Sequence, residues 1–250
     1  MIAALKKNYY VLTYLMSWGF FFAGGICLNL LSLPLFLLPR REAYGPAMRA
    51  VIRRLFELWA WWFNTSGVVR IRWHGFTEPL AGGTIFIANH PTLIDAPLLL
   101  SRLPGTICIF KPALIRNPAI GPPAIMAGYV AGEPGIDLVR TIAEKIALGR
   151  SLLVFPEGTR TDPRLVLGSF KPGFALIAAR AHAPVQLVIV RSTPELVTRG
   201  RAWWRAPTIQ PSTIEFTLDR RWEYDASRTP TELNEEVENH LLGVLRPPSA

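Results

Sequence analysis

The sequence predicts an α/β protein in which a mixed β-sheet is covered by helices. An N-terminal hydrophobic membrane segment and an amphipathic helix are predicted to precede this sheet. Two observations carry this prediction. Short runs rich in β-branched residues alternate with helical patterns along most of the chain, and a long uncharged apolar run lies near the N-terminus. We therefore expect residues 1–66 to form the membrane segment and an interfacial helix, and residues 67–250 to form a globular domain with a C-terminal helix.

Six runs have the composition of β-strands, and helical patterns lie between several of them. The predicted strands are 68–73, 84–88, 106–110, 151–155, 185–190 and 213–218. The predicted helices of the globular domain are 92–103, 139–149, 174–181 and 231–245. This alternation is typical of helices packed over a sheet that contains parallel strands.

The N-terminal run from Asn8 to Pro39 contains no charged residue, and basic residues flank it on both sides. As a straight helix its 32 residues would extend about 48 Å, whereas a hydrocarbon core is about 30 Å thick. We therefore expect the segment to tilt or to break, with Gly24, Gly25 and Pro34 as the candidate breaks. A single crossing and a re-entrant hairpin are both compatible with the sequence.

More basic residues follow the apolar run than precede it, which predicts a membrane-bound protein whose globular domain faces the cytosol. The next stretch, residues 43–63, has apolar residues at helical spacing. It is interpreted either as a helix in the lipid headgroup layer or as a surface helix packed on the domain. Its apolar positions are Met48, Val51, Ile52, Leu55, Trp59 and Trp62.

The charge balance indicates anionic partners, because 27 Lys and Arg residues against 18 Asp and Glu leave a formal net charge of +9. No nucleic-acid-binding signature accompanies this charge, so we expect no nucleic acid and favour anionic lipid headgroups or phosphorylated substrates. The two cysteines, Cys27 and Cys108, suggest neither a disulfide framework nor a metal cluster.

The first motif follows the strand at 84–88, where the chain reads Asn89-His90-Pro91 and continues to Asp95. We predict a polar turn and then a helix that opens with Pro91 near its first position. Side chains five residues apart on an ideal helix point about 140° apart, so His90 and Asp95 meet only if His90 lies in the turn. The carboxylate would then fix the imidazole tautomer and the other ring nitrogen would be a general base. Taken alone, such a pair is typical of an ordinary turn.

The second motif follows the strand at 151–155 and reads FPEGTR from Phe155 to Arg160. Gly158 permits a close backbone turn, and Arg160 supplies a planar fork of hydrogen-bond donors. Lys171 adds a cation beside the free amides at the start of the next predicted helix. The sequence therefore predicts an anion-binding site here.

Together these motifs resemble those of the glycerolipid or lysophospholipid acyltransferases related to 1-acylglycerol-3-phosphate acyltransferase. Asn89 to Asp95 is similar to the NHxxxxD catalytic block of that family, and Phe155 to Arg160 is similar to its phosphate-binding block. Ala183 to Val185 resembles the fourth block, which helps to line the site. The resemblance covers roughly residues 82–190 and implies that residues 67–250 are an acyltransferase catalytic domain.

The resemblance implies transfer of a fatty acyl group from acyl-CoA or acyl carrier protein to a hydroxyl of a lysophospholipid such as 1-acylglycerol-3-phosphate. It implies His90 as the base, Asp95 as its orienting partner, membrane lipids as partners, and no cofactor or metal. A covalent acyl-enzyme is not expected, because neither motif contains an obvious Ser or Cys nucleophile. The acceptor-binding residues that it implies are Glu157, Gly158, Thr159 and Arg160, with Lys111 and Lys171 at less strictly matched positions.

One departure concerns the second block of the family, which usually carries an arginine that helps to hold the acceptor phosphate. The corresponding segment, Gly128 to Pro134, contains no arginine. Either Arg140 substitutes from a nearby helix, or the acceptor is another membrane-bound hydroxyl or amine. A non-catalytic membrane lipid-binding protein and a hydrolase that releases the acyl group to water are the remaining alternatives.

Trp203 and Trp204 stand between Arg201 and Arg205. This group is typical either of a segment that contacts a membrane or ligand or of a loop that caps the core. The histidines other than His90 have no carboxylate at a spacing that indicates a catalytic pair. They are interpreted as ordinary surface or interface residues.

Overall fold

A computed structural model describes residues 2–36, 41–77, 79–110, 112–115, 121–132, 135–194 and 196–246 of the chain. Within this part of the chain, seven strands form one sheet in the order β1-β7-β6-β2-β5-β3-β4. The strands are β1 (Val69–His74), β2 (Ile85–Ala88), β3 (Thr106–Phe110), β4 (Val130–Ala131), β5 (Ser151–Val154), β6 (Val185–Ser192) and β7 (Ser212–Trp222).

The sheet is mixed, as the sequence predicts. Strands β6, β2, β5, β3 and β4 run parallel to one another, whereas β7 is antiparallel to β6 and parallel to β1. All four residues of β2 are buried, and so are the first three of β5. Continuous apolar runs of this kind are expected where helices cover both faces of a parallel sheet.

Eight α-helices are described: α1 (Ile2–Phe36), α2 (Gly45–Ser66), α3 (Asp95–Arg102), α4 (Pro112–Ile115), α5 (Gly121–Met126), α6 (Ile136–Ala147), α7 (Gly173–Ala181) and α8 (Pro230–Leu245). Helix α2 packs against α1 and α3, whereas α7 packs against α6 and α8. Because crossovers between parallel strands are right-handed, the rightward connections through α3 and α5 and the leftward ones through α6 and α7 occupy opposite faces of the sheet.

Helix α1 is continuous through Gly24 and Gly25, and it contains Pro34 in its last turn. The candidate breaks at these positions therefore do not occur, and α1 is one unbroken helix. Of the described helices, α1 is the one long and apolar enough to cross a membrane by length and composition. Its length is about 52 Å at 1.5 Å per residue.

One side of α1 packs along the globular domain. The Tyr9 hydroxyl donates to the Ser66 carbonyl at 2.9 Å, and the Trp59 indole N–H donates to the Ser17 carbonyl at 2.7 Å. Further along, Ser32 is fully buried. The other side is exposed and apolar, and it carries Leu5, Leu12, Leu15, Met16, Phe20, Phe22, Ile26, Leu30, Leu31 and Leu33.

Helix α2 has two apolar sides. Met48, Ile52 and Trp59 of the predicted stripe are buried, so this side packs on the domain as one of the two interpretations expects. Val51 from the same stripe is exposed, and Leu58 and Trp61 are exposed further along the helix. Contact of the outer side with a membrane stays a prediction.

Candidate active site

The first motif forms a turn at the carboxyl end of β2. The Asn89 side chain donates from Nδ2 to the Val190 carbonyl and accepts at Oδ1 from the Val190 N–H, both at 2.8 Å. A side-chain amide that bonds both the N–H and the C=O of one residue makes the same hydrogen bonds as the backbone of a neighbouring strand. Asn89 therefore continues the sheet by one residue and fixes the start of the turn to β6.

The side chains of His90 and Asp95 meet in this turn. The His90 Nδ1 lies 3.0 Å from the Asp95 Oδ2, and Asp95 is fully buried. His90 lies in the turn, as the contact requires, and Asp95 is the first residue of α3. The prediction that the helix opens near Pro91 is wrong, because residues 89–94 are held in the turn by their own hydrogen bonds.

The Asp95 carboxylate is also held by Thr92. Its Oδ2 accepts from the Thr92 N–H at 2.9 Å, and its Oδ1 accepts from the Thr92 hydroxyl. These two bonds close the turn before α3 without capping the helix, whose N-cap residue is Ile94. No pattern in the sequence indicates this role for Thr92.

The imidazole of His90 lies on the ring of Phe155, with the ring centroids 4.1 Å apart and the planes 19° apart. Phe155 opens the second motif, directly after β5. In the described part of the chain the Nε2 atom of His90 has no hydrogen-bond partner, and the side chain is 17% exposed. The nitrogen that the turn leaves available is therefore the one remote from Asp95.

Glu157 joins the two motifs, and its carboxylate is buried. Its Oε1 accepts from the His90 N–H at 2.9 Å and from the Thr161 hydroxyl at 2.8 Å, while its Oε2 accepts from the Gly168 N–H at 2.9 Å. The backbone N–H of Thr161 in turn donates to the His90 carbonyl at 2.8 Å. These contacts favour a positioning role for Glu157, and its predicted contact with the acceptor stays a prediction.

Replacing Glu157 by glutamine is expected to lower the free energy of unfolding by about 2–3 kcal/mol, because an amide N–H₂ would face the donating Gly168 N–H. Thermal denaturation should show a decrease in Tm of about 5–10 °C. The matched control is Glu235→Gln on the exposed side of α8, which should leave Tm unchanged. An unchanged Tm in Glu157→Gln would contradict the tie between the motifs.

Gly158 lies in the turn after β5 with a φ of 67°, a region that favours glycine. A side chain here would also meet the Lys171 amine, because an added Cβ would lie 3.0 Å from Nζ. The second motif therefore lies next to an exposed ammonium group at its glycine turn. The binding of an anion there stays a prediction.

Arg160 points toward the segment after β6. One terminal nitrogen of its guanidinium donates to the carbonyls of Val197 and Thr198, each at 3.1 Å. Burial lowers the pKa of Arg160, and Arg199 adds to that shift while the Asp95 carboxylate opposes it. The guanidinium of the second motif therefore interacts electrostatically with the Asp95 carboxylate of the first motif. The action of the three side chains in one site stays a prediction.

Val197 is the shared acceptor in this arrangement. Its carbonyl accepts from the Leu93 N–H at 3.1 Å as well as from Arg160. Its φ of 51° lies in the left-handed region, where a β-branched residue is strained by about 1–3 kcal/mol. No pattern in the sequence indicates this residue, because strain of this kind depends on contacts with distant segments.

The other predicted site residues belong to separate segments of the chain. Thr159 is exposed at the turn, and Lys111 lies outside the described residues. Arg140 lies on α6 and is exposed, where it pairs with Asp137 at 3.3 Å. Its predicted substitution for the missing arginine of the second block stays a prediction, and Glu133 and Pro134 of that block also lie outside the described residues.

A second His–Asp pair lies elsewhere in the molecule. The Nε2 of His240 on α8 is 2.6 Å from the Asp219 Oδ2 on β7. No sequence pattern indicates this partner, because 21 residues separate the two. His240 packs against the edge of Trp222, and both residues of the pair lie outside the two motifs.

Comparison with known proteins agrees with the fold and with the family that the sequence resembles. A mixed sheet of this kind occurs in the crystal structure of the 1-acyl-sn-glycerophosphate (LPA) acyltransferase PlsC from Thermotoga maritima. The TM-score is 0.74 at 22% sequence identity, over 96% of this chain and 95% of that one. The two proteins therefore share the acyltransferase fold.

A family model named Acyltransferase matches residues 70–191. A 1-acyl-sn-glycerol-3-phosphate acyltransferase of Helicobacter pylori is 30% identical over 168 residues, which cover 64% of this chain and 69% of that protein. One of Limnanthes alba is 31% identical over 145 residues, which cover 54% and 47%. The chain thus spans about half the length of the Limnanthes relative. It belongs to the acyltransferase family that includes the 1-acyl-sn-glycerol-3-phosphate acyltransferases.

Proposed function

We propose that the protein transfers a fatty acyl group from acyl-CoA or acyl carrier protein to a hydroxyl of a lysophospholipid such as 1-acylglycerol-3-phosphate. The observation that carries the proposal is the contact of 3.0 Å between the His90 Nδ1 and the buried Asp95 carboxylate. It leaves the opposite ring nitrogen available, and Arg160 of the second motif supplies a cation suited to a phosphate group.

His90 acts as the general base in this proposal. With its Nδ1–H donated to Asp95, the neutral imidazole carries a lone pair on Nε2 and takes the proton of the acceptor hydroxyl. The oxygen then bonds to the thioester carbonyl carbon, the carbon–sulfur bond breaks, and the thiolate takes the proton back from the imidazolium. Asp95 stabilises the imidazolium between these two proton transfers.

Arg160 would hold the phosphate of the acceptor. One of its terminal nitrogens is already bonded to the Val197 and Thr198 carbonyls, which fixes the direction of the guanidinium and leaves its other donors for a ligand. Lys171 adds a second positive charge beside Gly158. The arrangement supports a phosphorylated acceptor even though Gly128 to Pro134 contains no arginine.

A membrane lipid as acceptor requires the site to lie at a bilayer. Contacts between α1 and the globular domain extend from Tyr9 to the buried Ser32, so a perpendicular crossing would draw the charged helix α2 into the hydrocarbon. We therefore favour α1 lying along one bilayer surface with its exposed apolar side in the lipid. The excess of basic residues after the apolar run supports a cytosolic position of the domain.

The test is turnover by the purified full chain in phospholipid vesicles with labelled acyl-CoA or acyl carrier protein and a panel of acceptors. Phosphatidate formed from 1-acylglycerol-3-phosphate would support the proposal. Products formed only from other hydroxyl or amine acceptors would change the proposed acceptor but keep acyl transfer as the reaction. Free fatty acid would indicate a hydrolase, and lipid binding without any product would indicate a non-catalytic protein.

Replacing Arg160 by alanine is expected to raise KM for 1-acylglycerol-3-phosphate about 10- to 100-fold with a smaller change in kcat, because charge-assisted hydrogen bonds to the phosphate are lost. KM for a monoacylglycerol, which has no phosphate, should stay unchanged. Steady-state kinetics with both acceptors measures the difference.

The matched control is Arg164→Ala. Arg164 lies four residues past Arg160, is exposed and pairs with Asp162. An equal rise in KM for both acceptors in Arg160→Ala would show that the arginine acts only through the Val197 and Thr198 carbonyls. That result would remove it from the acceptor site.

A further inference from the structure

The loop between β6 and β7 connects α1 to the active site. Trp203 of this loop lies between two aromatic residues of α1, with ring centroids 5.4 Å from Trp18 and 5.1 Å from Phe22. The Tyr14 hydroxyl of α1 donates to the Trp203 carbonyl at 2.6 Å. The loop, defined as residues 196–211, is therefore fixed to the helix that carries the exposed apolar surface.

Two apolar side chains of the loop are exposed. Trp204 is 57% exposed and meets Trp203 edge-on at 5.4 Å, and Ile209 is 52% exposed. Phe22 on α1 is 44% exposed and flanks the same Trp203. The exposed rings of the loop and of α1 thus adjoin one shared tryptophan, and the apolar surface of α1 continues onto the loop.

Positive charge surrounds these apolar side chains. Arg199 and Arg205 are exposed, and neither forms an ion pair with a carboxylate in the part of the chain that the structure describes. Trp and Arg side by side are typical of the headgroup layer, where the indole lies at the boundary and the guanidinium meets lipid phosphates.

We propose that the β6–β7 loop is a second membrane-contacting surface, in which Trp204 and Ile209 enter the headgroup layer of an anionic phospholipid bilayer and Arg199 and Arg205 bind its phosphates. The proposal deepens the proposed function, since it rests on the use of a membrane lipid as acceptor. It assigns the exposed tryptophan to membrane contact rather than to a cap over the core.

The same loop carries the carbonyls that hold Arg160. Val197 and Thr198, which accept from the Arg160 guanidinium, precede Arg199 directly. Contact of the loop with lipid therefore brings the bilayer surface within a few residues of the acceptor site. An acceptor with its acyl chain in the bilayer reaches Arg160 with its headgroup along this loop.

An acidic carrier protein is the competing partner for a basic surface. The exposed Trp204 and Ile209 and their continuity with the apolar side of α1 favour a bilayer, because a carrier protein cannot cover α1 as well. The experiments below distinguish these two partners.

The first experiment measures where the loop lies, and it needs no turnover. A nitroxide is attached at Trp204→Cys or Ile209→Cys in a Cys27→Ala background. Cys108 stays unlabelled because it is buried, and burial raises its pKa to about 12. Vesicles containing phosphatidylglycerol are added, and collision rates with lipid-soluble oxygen and a water-soluble nickel complex are compared.

The ratio of oxygen to nickel collisions at 204 and 209 is expected to rise on vesicle addition. A control nitroxide at Leu176→Cys, on the exposed side of α7 on the opposite face of the sheet, should keep its aqueous ratio. Aqueous ratios at both loop positions would overturn the proposal, even if the protein proves to be an acyltransferase. A raised ratio of oxygen to nickel collisions without any turnover would support membrane contact of the loop and reject the proposed function.

The second experiment tests the charge. Arg205→Gln is expected to raise KM for the vesicle-bound acceptor about fivefold on anionic vesicles and not on neutral ones, since each basic residue near a charged bilayer is worth about 1 kcal/mol. Arg180→Gln, also exposed on α7, is the matched control and should change neither value. A raised KM for acyl carrier protein with no change on either kind of vesicle would assign Arg205 to the carrier protein and overturn the proposal.

Discussion

Replacing His90 by alanine is expected to lower kcat about 10³- to 10⁴-fold, because the acceptor hydroxyl then loses the base that takes its proton. KM for the lysophospholipid should change little, since the phosphate is bound by Arg160 rather than by the imidazole. Single-turnover rates with saturating acyl donor and acceptor would measure the effect on the chemical step itself.

His240→Ala is the control for this experiment. It removes a histidine that also pairs with an aspartate, at 2.6 Å, but on α8 and β7 rather than in either motif. The control should therefore retain kcat. Circular dichroism and vesicle binding should be the same for both variants and the wild type, since the His90 side chain contacts chiefly Asp95 and Phe155. Undiminished turnover in His90→Ala would reject His90 as the base.

Replacing Asp95 by asparagine is expected to lower kcat about 10²- to 10⁴-fold through the tautomer of His90. An asparagine that donates its amide N–H₂ to Nδ1 would leave the proton on Nε2, where the lone pair is needed. The Thr92 N–H and hydroxyl would also compete for one remaining carbonyl oxygen. We expect an additional loss of about 1–3 kcal/mol in the free energy of unfolding.

Two measurements separate these effects. Thermal denaturation gives the stability loss, and kcat well below the Tm of the variant gives the catalytic loss. Asp219→Asn, which removes the carboxylate partner of His240, controls for a histidine–aspartate pair with no catalytic role. If Asp95→Asn lost stability but kept kcat, Asp95 would be a structural residue of the turn and not the partner of the base.

The strands were predictable from local composition. All six predicted strands form. The inner strand β2 is a continuous apolar run buried on both faces, whereas β1 alternates buried apolar residues with exposed polar ones. Strand β4 was missed because two residues, Val130 and Ala131, make no recognisable pattern. The limits of α3 were wrong for a different reason. Pro91 is suited to a first helical turn, but the carboxylate of Asp95 bonds to Thr92 and keeps the chain out of the helix until residue 95.

The contact between His90 and Asp95 was predictable because both residues belong to one short motif. The contacts of Arg160 were not, since its partners Val197 and Thr198 lie 37 and 38 residues away in an irregular loop. The buried role of Glu157 was equally hidden, because its three donors come from His90, Thr161 and Gly168. Sequence patterns report local structure, whereas these contacts depend on how distant turns approach each other.

The hydrogen bonds between the two motifs have a consequence for engineering. The His90 N–H and carbonyl are both bonded to the second motif, through the Glu157 carboxylate and the Thr161 N–H. The free-energy effects of substitutions within one hydrogen-bond network are not additive, and coupling energies of about 0.5–3 kcal/mol between them are usual. A chimaera that takes only one of these turns from a relative is therefore expected to misplace the imidazole, whereas exchanging both turns together preserves their mutual fit.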